Sequence, residues 1–541
     1  MKKILFFLYL GFLLLSTAIE AQNKIVELPD FETSNTILFE INKLELKDTA
    51  TVLFCDAYHR PDMWIRISSK SYLKGNSGRI YKLLCSEGFE LDKKVNMPQS
   101  GNVTFKLYME LLDKDENTFD FMEGENEGDF KIIGIKTFKS QAPITPIRCE
   151  LKGEVIGRPQ SGRLVLTKER GDDRVSAKYI PIRNGKFEYV LNCHHEESYE
   201  LAFFDEMMDG SWRPIKFFTD SNSVTFKLFP MDKFHENIVE GGKLNADYHN
   251  YLVTKDSMVQ SIERQKQIDS LFKANKFYTE ELIDLQEQRK KTEDRAVKDS
   301  LNSLMKKMYD SGEAYTHEVN KWLKTEKELY SKFYKWEMEY IQENISIMTY
   351  SLLVNRMITA IDNSKEDIPQ CIELYNSVFS KKYPTHPYTE EMYNLVKSYS
   401  SIKVGGSFID FTAPDFSGNS VKLSEQVKGK VALIDFWASW CGPCRRNSIS
   451  IIPVYEKYKD KGFTVVGIAR ERELTAAVNA AKKDNYPWLN LIEIEDAAKI
   501  WEKYGLGNSG GGSFLINKDG TILAISPTAE EVKKILDELL K

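Results

Sequence analysis

The chain has 541 residues, 74 Lys or Arg against 80 Asp or Glu, a net charge of −6, and seven Cys. That length implies about three to four domains. A charged fraction of 28% and a hydrophobic fraction of 42% exclude collagen-like, low-complexity and largely disordered classes. No long basic run favours nucleic acid or an anionic membrane surface, and seven Cys are too few for a disulfide scaffold. Seven is also odd, so at least one thiol is unpaired in a monomer.

Residues 1–21 read as a signal peptide. Met1-Lys2-Lys3 precedes an apolar run over residues 4–15, and the small residues Ser16, Thr17, Ala18 and Ala21 follow. Cleavage is expected near Ala21–Gln22. The alternative is an uncleaved anchor, for which the run is short against about 30 Å of hydrocarbon. No Cys lies near the cleavage point to accept a lipid, and no later stretch is apolar enough to span a membrane. The mature chain is therefore expected to be exported, soluble and in the periplasm or cell envelope.

The fold class expected is multidomain: two N-terminal all-β modules, an α-helical middle region and a C-terminal α/β domain. Residues 22–145 carry short β-branched and aromatic runs, among them Ile37-Leu38-Phe39-Glu40-Ile41 and Val103-Thr104-Phe105-Lys106-Leu107, split by turn residues. This pattern suggests a sandwich. Gln141-Ala142-Pro143-Ile144-Thr145-Pro146 reads as a linker. Residues 146–243 form a second, smaller β module, in which Asn184-Gly185 between two strands signals a hairpin, because both central turn residues need positive φ. Val224-Thr225-Phe226-Lys227-Leu228 reads as its last strand.

Residues 244–400 are rich in Lys, Glu, Asp and Gln, with apolar residues at helical spacing and a turn at Asp310-Ser311-Gly312. The aromatic series Trp322, Tyr330, Phe333, Trp336 and Tyr340 is read as a packing face rather than a ligand site. Residues 401–541 return to alternating strand and helix in the order strand, helix, strand, helix, hairpin, helix. Thr528-Ala529-Glu530-Glu531 is a capping box for the last helix.

The chemistry sits at Trp440-Cys441-Gly442-Pro443-Cys444, between a buried strand and a helix. Cys441 falls at the helix N-terminus, where the partial positive charge and orphan N–H groups stabilise a thiolate. Pro443 suits the first helical turn, and Cys444 lies about one turn in, where it can close a disulfide with Cys441. Such a pair exchanges disulfides: Cys441 attacks, a mixed disulfide forms, and Cys444 resolves it. Asp435, the one acid of an otherwise apolar strand, is the candidate proton acceptor. A zinc half-site would need two further ligands, and residues 402–541 contain no His and no third Cys. No metal and no cofactor is implied.

Phe436-Trp437-Ala438-Ser439-Trp440-Cys441-Gly442-Pro443-Cys444-Arg445 resembles the active-site segment of the thioredoxin superfamily. With Phe411-Thr412-Ala413-Pro414-Asp415-Phe416, Val421-Lys422-Leu423-Ser424 and Lys428-Gly429-Lys430, it resembles the TlpA/ResA-like thiol–disulfide oxidoreductases of the bacterial envelope. The resemblance covers a quarter of the chain. More weakly, residues 147–243 resemble the small β domain upstream in such chains. The resemblance implies a thioredoxin fold, Cys441 as nucleophile, Cys444 as resolving thiol, Asp435 as buried acid, and Trp440, Gly442, Pro443, Gly511 and Gly512 as the substrate-facing surface.

Three positions depart from the family pattern. The usual cis-Pro before the strand Phe is Gly511, so that loop is expected to be trans; if it has merely lost a cis-Pro, Gly511→Pro would tighten substrate binding. The helix Pro moves from position 449, here Ile449, to Pro453. The usual acid three residues after the second Cys is Asn447. The resemblance further implies protein disulfides as substrates and a membrane thiol-transfer protein as electron donor, with apocytochrome thiol pairs among the acceptors. Cys-Gly-Pro-Cys is the thioredoxin sequence, whose potential of about −270 mV marks a reductase, against about −120 mV for a strong oxidase. The rival reading is an envelope binding or assembly protein whose thioredoxin-like domain is a non-catalytic docking unit.

Of the remaining thiols, Cys55 with Cys85 and Cys149 with Cys193 could pair within their modules, or remain buried and free, with Cys371 left over. Cys193-His194-His195-Glu196-Glu197 holds metal-friendly residues, but adjacent His in a strand face opposite ways. Residues 284–298 read as a solvated, charged helix face.

Overall fold

The computed structural model describes residues 24–540 apart from 32, 62, 125–128, 139–146, 173–176, 212, 363–364, 495 and 509. The proposed signal peptide and the 141–146 linker lie outside the described residues. Among the described residues no helix is long and apolar enough to cross a membrane. The chain divides into two compact units, one taking the chain up to Pro143 with Pro159–Gly162, the other Ile144–Arg158 with Arg163–Lys541.

In the first unit nine strands join in one sheet, and Trp64–Ile65 pairs with Val95–Asn96 apart from it. The sheet is joined through Ile80–Glu87, which pairs with Asn102–Met109 along one part and with Tyr72–Gly75 along another. The sheet closes on one apolar core, where Phe39 meets Phe105, Phe121 and Phe130 with ring centroids 4.9–6.2 Å apart.

The second unit holds the rest. Its β module is a sandwich of two four-stranded sheets sharing one core. Asn184 and Gly185 take φ of 51° and 70°, as the hairpin requires. Ser223–Leu228 is not the last strand: Ile238–Glu240 pairs antiparallel with it. That strand has only three residues and little burial, so alternation is too short to be seen in sequence. Cys55, Cys85, Cys149, Cys193 and Cys371 are all free thiols, so neither candidate pair is bonded. Cys149 lies opposite Leu191, two residues short of Cys193, and both thiols pack into the sandwich core.

The helical region builds its core on Ile347–Asp362, most of whose side chains are buried, against Lys243–Val259, His317–Glu343 and Pro387–Ser401. Phe333 is buried there, and Tyr330, Trp336 and Tyr340 pack beside it, so the aromatic series is core. Trp322 instead lies under the Arg264 guanidinium, 4.4 Å from its ring.

The C-terminal domain is a five-stranded mixed sheet. Val431–Trp437, buried at every position, sits at the centre, with Phe463–Glu471 parallel on one side and Ser513–Ile516 antiparallel on the other. The strand Leu489–Ile494, absent from the order expected from sequence, adds parallel to Phe463–Glu471 at the edge. Its apolar residues do not alternate cleanly, because Asn490 is buried as an acceptor for the Trp437 indole N–H, 3.1 Å away. Gly467 makes room for that contact: a Cβ there would lie 2.1 Å from Asn490 Oδ1 and 3.0 Å from Trp437 Nε1. Gly467→Ala is therefore expected to destabilise this domain by about 1–3 kcal/mol, the usual cost of overpacking. Urea unfolding followed by tryptophan fluorescence checks it, and the double variant Gly467→Ala/Asn490→Ala should recover part of the loss.

Candidate active site

The central strand ends at Trp437, and four residues then lead into the helix Gly442–Tyr458. The turn is held from two sides. The Glu471 carboxylate accepts both the backbone N–H of Ser439 and its hydroxyl, the latter at 3.0 Å. Arg445 donates to the Ser439 carbonyl at 3.1 Å while its other nitrogens grip Asp484 at 2.7 and 2.8 Å. The chain thus enters the helix with Cys441 at the N-cap.

At an N-cap a side-chain oxygen ordinarily accepts an orphan backbone N–H. Here the acceptor is sulfur: the Cys444 N–H points to Cys441 Sγ at 3.3 Å. Pro443 occupies the first turn, where a missing N–H costs nothing. Cys441 and Cys444 are joined in a disulfide, with Cα atoms 5.3 Å apart. Further along, Pro453 lies inside the helix and withdraws the N–H that would reach the Ile449 carbonyl.

Asp435 is 2% exposed in the middle of the central strand, opposite Gly467 and Ser513. Burial pushes its carboxyl up to about 6, against the pull of a hydrogen bond from the Ser448 hydroxyl. That hydroxyl lies 2.6 Å from Oδ2 and 3.0 Å from the Cys444 carbonyl. Ser448 follows Cys444 by four residues and so shares its helix face.

A glycine-rich loop faces the disulfide. A Cβ on Gly510 would lie 3.8 Å from Cys441 Sγ, an ordinary contact distance, and Cys441 itself is 6% exposed. Gly511 donates its N–H to Cys444 Sγ at 3.2 Å, and the peptide bond before it is trans. Position 511 cannot host the family's proline: a Cβ would lie 1.9 Å from the Phe436 carbonyl oxygen, and proline would remove the N–H. The loop has therefore not merely lost a cis-Pro, which was the condition for Gly511→Pro to tighten binding. Gly512 returns its carbonyl to the Phe436 N–H at 2.8 Å, joining the loop to the central strand.

A cavity of about 620 Å³ opens over the disulfide. Asp435, Trp440, Cys441, Pro443, Cys444, Gly511 and Gly512 all line it. Gly442 does not; it lies beside the Arg446 side chain. Phe436, Asn447, Gly510, Ser513 and Ser526 complete the lining and were not read as site residues from sequence. Ser448 was missed as well, although its place one turn beyond Cys444 was visible. His195, the metal-friendly residue outside this domain, meets the His386 ring at 5.4 Å.

Residues 403–540 match the Redoxin family. The thiol-disulfide oxidoreductase ResA of Bacillus cereus (strain ATCC 10987 / NRS 248) is 29% identical over 153 residues, which is 28% of this chain and 86% of that relative. ResA of Bacillus anthracis is 29% identical over 140 residues, 26% of this chain and 78% of the relative. The C-terminal quarter is a thiol–disulfide oxidoreductase domain of the thioredoxin superfamily. Among solved structures, the thioredoxin domain of a thiol-disulfide oxidoreductase from Bacteroides vulgatus is 27% identical, covering 26% of this chain and all of that one, with a TM-score of 0.24. A thiol:disulfide interchange protein from Bacteroides sp. is 26% identical, covering 26% and 91%, also with a TM-score of 0.24.

The oxidoreductase domain carries its buried acid at a cost that depends on pH. The folded Asp435 carboxyl keeps its proton up to about pH 6, whereas the unfolded chain releases it near 3.8. Its contribution to stability is therefore complete below about pH 4 and lost as the pH rises through 6. Asp435→Asn is expected to be more stable than the wild type at pH 7.5, by roughly 3 kcal/mol, with the difference vanishing near pH 4. Urea titrations of both proteins in the oxidised state at the two pH values measure it.

Proposed function

We propose that the protein is an exported thiol–disulfide oxidoreductase that reduces protein disulfides through a mixed disulfide. The observation that carries this is Cys441 Sγ at the N-cap of a 17-residue helix, accepting a backbone N–H and opening on a cavity. On reduction the same position holds a thiolate, for which a helix N-terminus is a favourable seat.

The reaction balances as a two-electron exchange. The Cys441 thiolate attacks one sulfur of the substrate disulfide; that bond breaks, and the other substrate sulfur leaves as a thiolate and takes a proton. The mixed disulfide links Cys441 to the substrate. Cys444 then loses its proton and attacks Cys441 Sγ, releasing the second substrate thiolate and leaving the Cys441–Cys444 disulfide. Asp435, on the wall of the same cavity and with its carboxyl near 6, accepts that proton. The cycle closes when an external dithiol reduces the pair; a membrane thiol-transfer protein is the donor class. The Cys-Gly-Pro-Cys sequence supports the reducing direction. The expected leader at residues 1–21 supports export.

An intact, cavity-facing cysteine pair favours this reading over a non-catalytic docking domain. Wild type should reduce insulin with dithiothreitol as donor, and Cys441→Ser should not; equal rates would end the enzymatic reading. Cys444→Ser should accumulate a mixed disulfide on non-reducing gels. In stopped-flow, Asp435→Asn should slow release of the mixed disulfide by about 10²-fold, the usual contribution of a positioned proton acceptor, and its formation far less.

A further inference from the structure

A second and larger cleft, of about 1570 Å³, lies within the second unit and meets the active-site cavity at Gly510 and Gly511, which line both. Its walls come from four places: Lys168 to Asp172 with His195, Glu197 and Ser198 of the β sandwich, the end of the helix Ile347–Asp362 at Ile358, Ile361 and Asp362, the helix Pro387–Ser401 with the turn before it, and Arg470 with residues between 496 and 508 of the oxidoreductase domain. Pockets for small ligands span about 300–1,000 Å³, so this cleft is sized for something longer.

The walls are tied to one another. Arg170 of the sandwich grips Glu391 of the helix at 2.6 Å, and its backbone carbonyl accepts from Asn508 Nδ2 at 3.1 Å. Asn508 in turn accepts from Arg470, which also pairs with Asp172 at 3.3 Å. Asn394 donates to Glu502 at 2.9 Å. A cleft braced from three elements is preformed, which lowers the ordering cost of binding.

Its charge is one-sided. Among the described residues eight carboxylates line it against four Lys or Arg. Three of those cations each serve two carboxylates: Arg170 serves Glu169 and Glu391, Arg470 serves Asp172 and Asp496, and Lys499 lies 3.9 Å from Glu390 and 3.7 Å from Glu502. Lys168 pairs with Glu197, and Lys216, behind the wall, is a fifth cation on Glu169, so among the described residues the carboxylates still outnumber the cations by three. Asp362 and Glu390 hold part of that excess at the exposed rim. Trp501, on the cleft wall, also buries an indole N–H that has no acceptor among the described residues.

We infer that this cleft binds the polypeptide that carries the substrate disulfide, and that it selects a Lys- or Arg-bearing segment next to the half-cystine. The inference rests on reading Cys441 and Cys444 as the catalytic pair. The chain would run along the braced acidic walls and present its disulfide at Gly510–Gly511, where the cleft meets the cavity lined by Cys441 and Cys444.

The test uses the full chain and two disulfide-linked peptides of equal length, one with Lys and one with Glu flanking the cystine, with a small neutral disulfide as the reference for each protein. Wild type is expected to favour the basic peptide about 5-fold in kcat/KM at low salt, through KM, as two or more partly screened ion pairs would give. In 1 M salt, where the Debye length is about 3 Å, the preference should collapse. Asp362→Lys/Glu390→Lys, both at exposed positions, should abolish or reverse it. Equal handling of the two peptides, or a preference untouched by salt and by the double variant, overturns the inference. If wild type still turns over the small disulfide in that case, the oxidoreductase reading stands; if it reduces neither peptide nor small disulfide, both fall.

Discussion

A backbone N–H aimed at the Cys441 sulfur from one turn inside a helix is the interaction on which the rest depends. Helices leave their first N–H groups without partners, and polar side chains usually satisfy them. When sulfur takes that role, the helix gains most from its cap when the sulfur is charged. Redox chemistry and helix capping thus become one interaction. Everything around it keeps the cap in place: Glu471 and Arg445 fix the turn that precedes it, and a fully buried strand fixes the start of that turn.

The same strand carries the opposing constraint. A carboxyl in the middle of a sheet is unfavourable once ionised, so Asp435 holds its proton far above the usual aspartate range. The Ser448 hydroxyl bridges that acid and the Cys444 carbonyl, placing the acid at the foot of the resolving cysteine's helix turn. Stability is given up at neutral pH for a group that can receive a proton inside the fold. The trade belongs to the site rather than to the sheet, whose other central-strand positions are apolar.

The glycine loop shows a different solution to covering a disulfide. Where the family pattern places a ring, this chain places the Gly511 N–H on Cys444 and a glycine, Gly510, beside Cys441. A loop of consecutive glycines has little intrinsic order. Its position comes from outside: Gly512 is bonded to the central strand, and Asn508, just before the loop, is held by Arg470 and by the Arg170 carbonyl of the β sandwich. The upstream module therefore reaches to the edge of the active site, which gives residues beyond the oxidoreductase domain a physical part in shaping it.

Local chemistry was written plainly in the sequence. The Cys-x-x-Cys spacing, the proline in the first turn and the lone acid of an apolar strand each rest on short-range geometry, and each lies at the cavity the structure reveals. The Asn184-Gly185 hairpin and the Thr528 capping box are local in the same way. What the sequence could not determine depends on residues far apart in the chain. The edge strand Leu489–Ile494 hides a buried Asn that makes sense only beside Trp437, and Gly511 reads as a lost proline until the Phe436 carbonyl is seen against it. The acidic cleft joins segments more than 300 residues apart, as the Arg170–Asn508 bond does, and only tertiary packing brings such charges within range of one another.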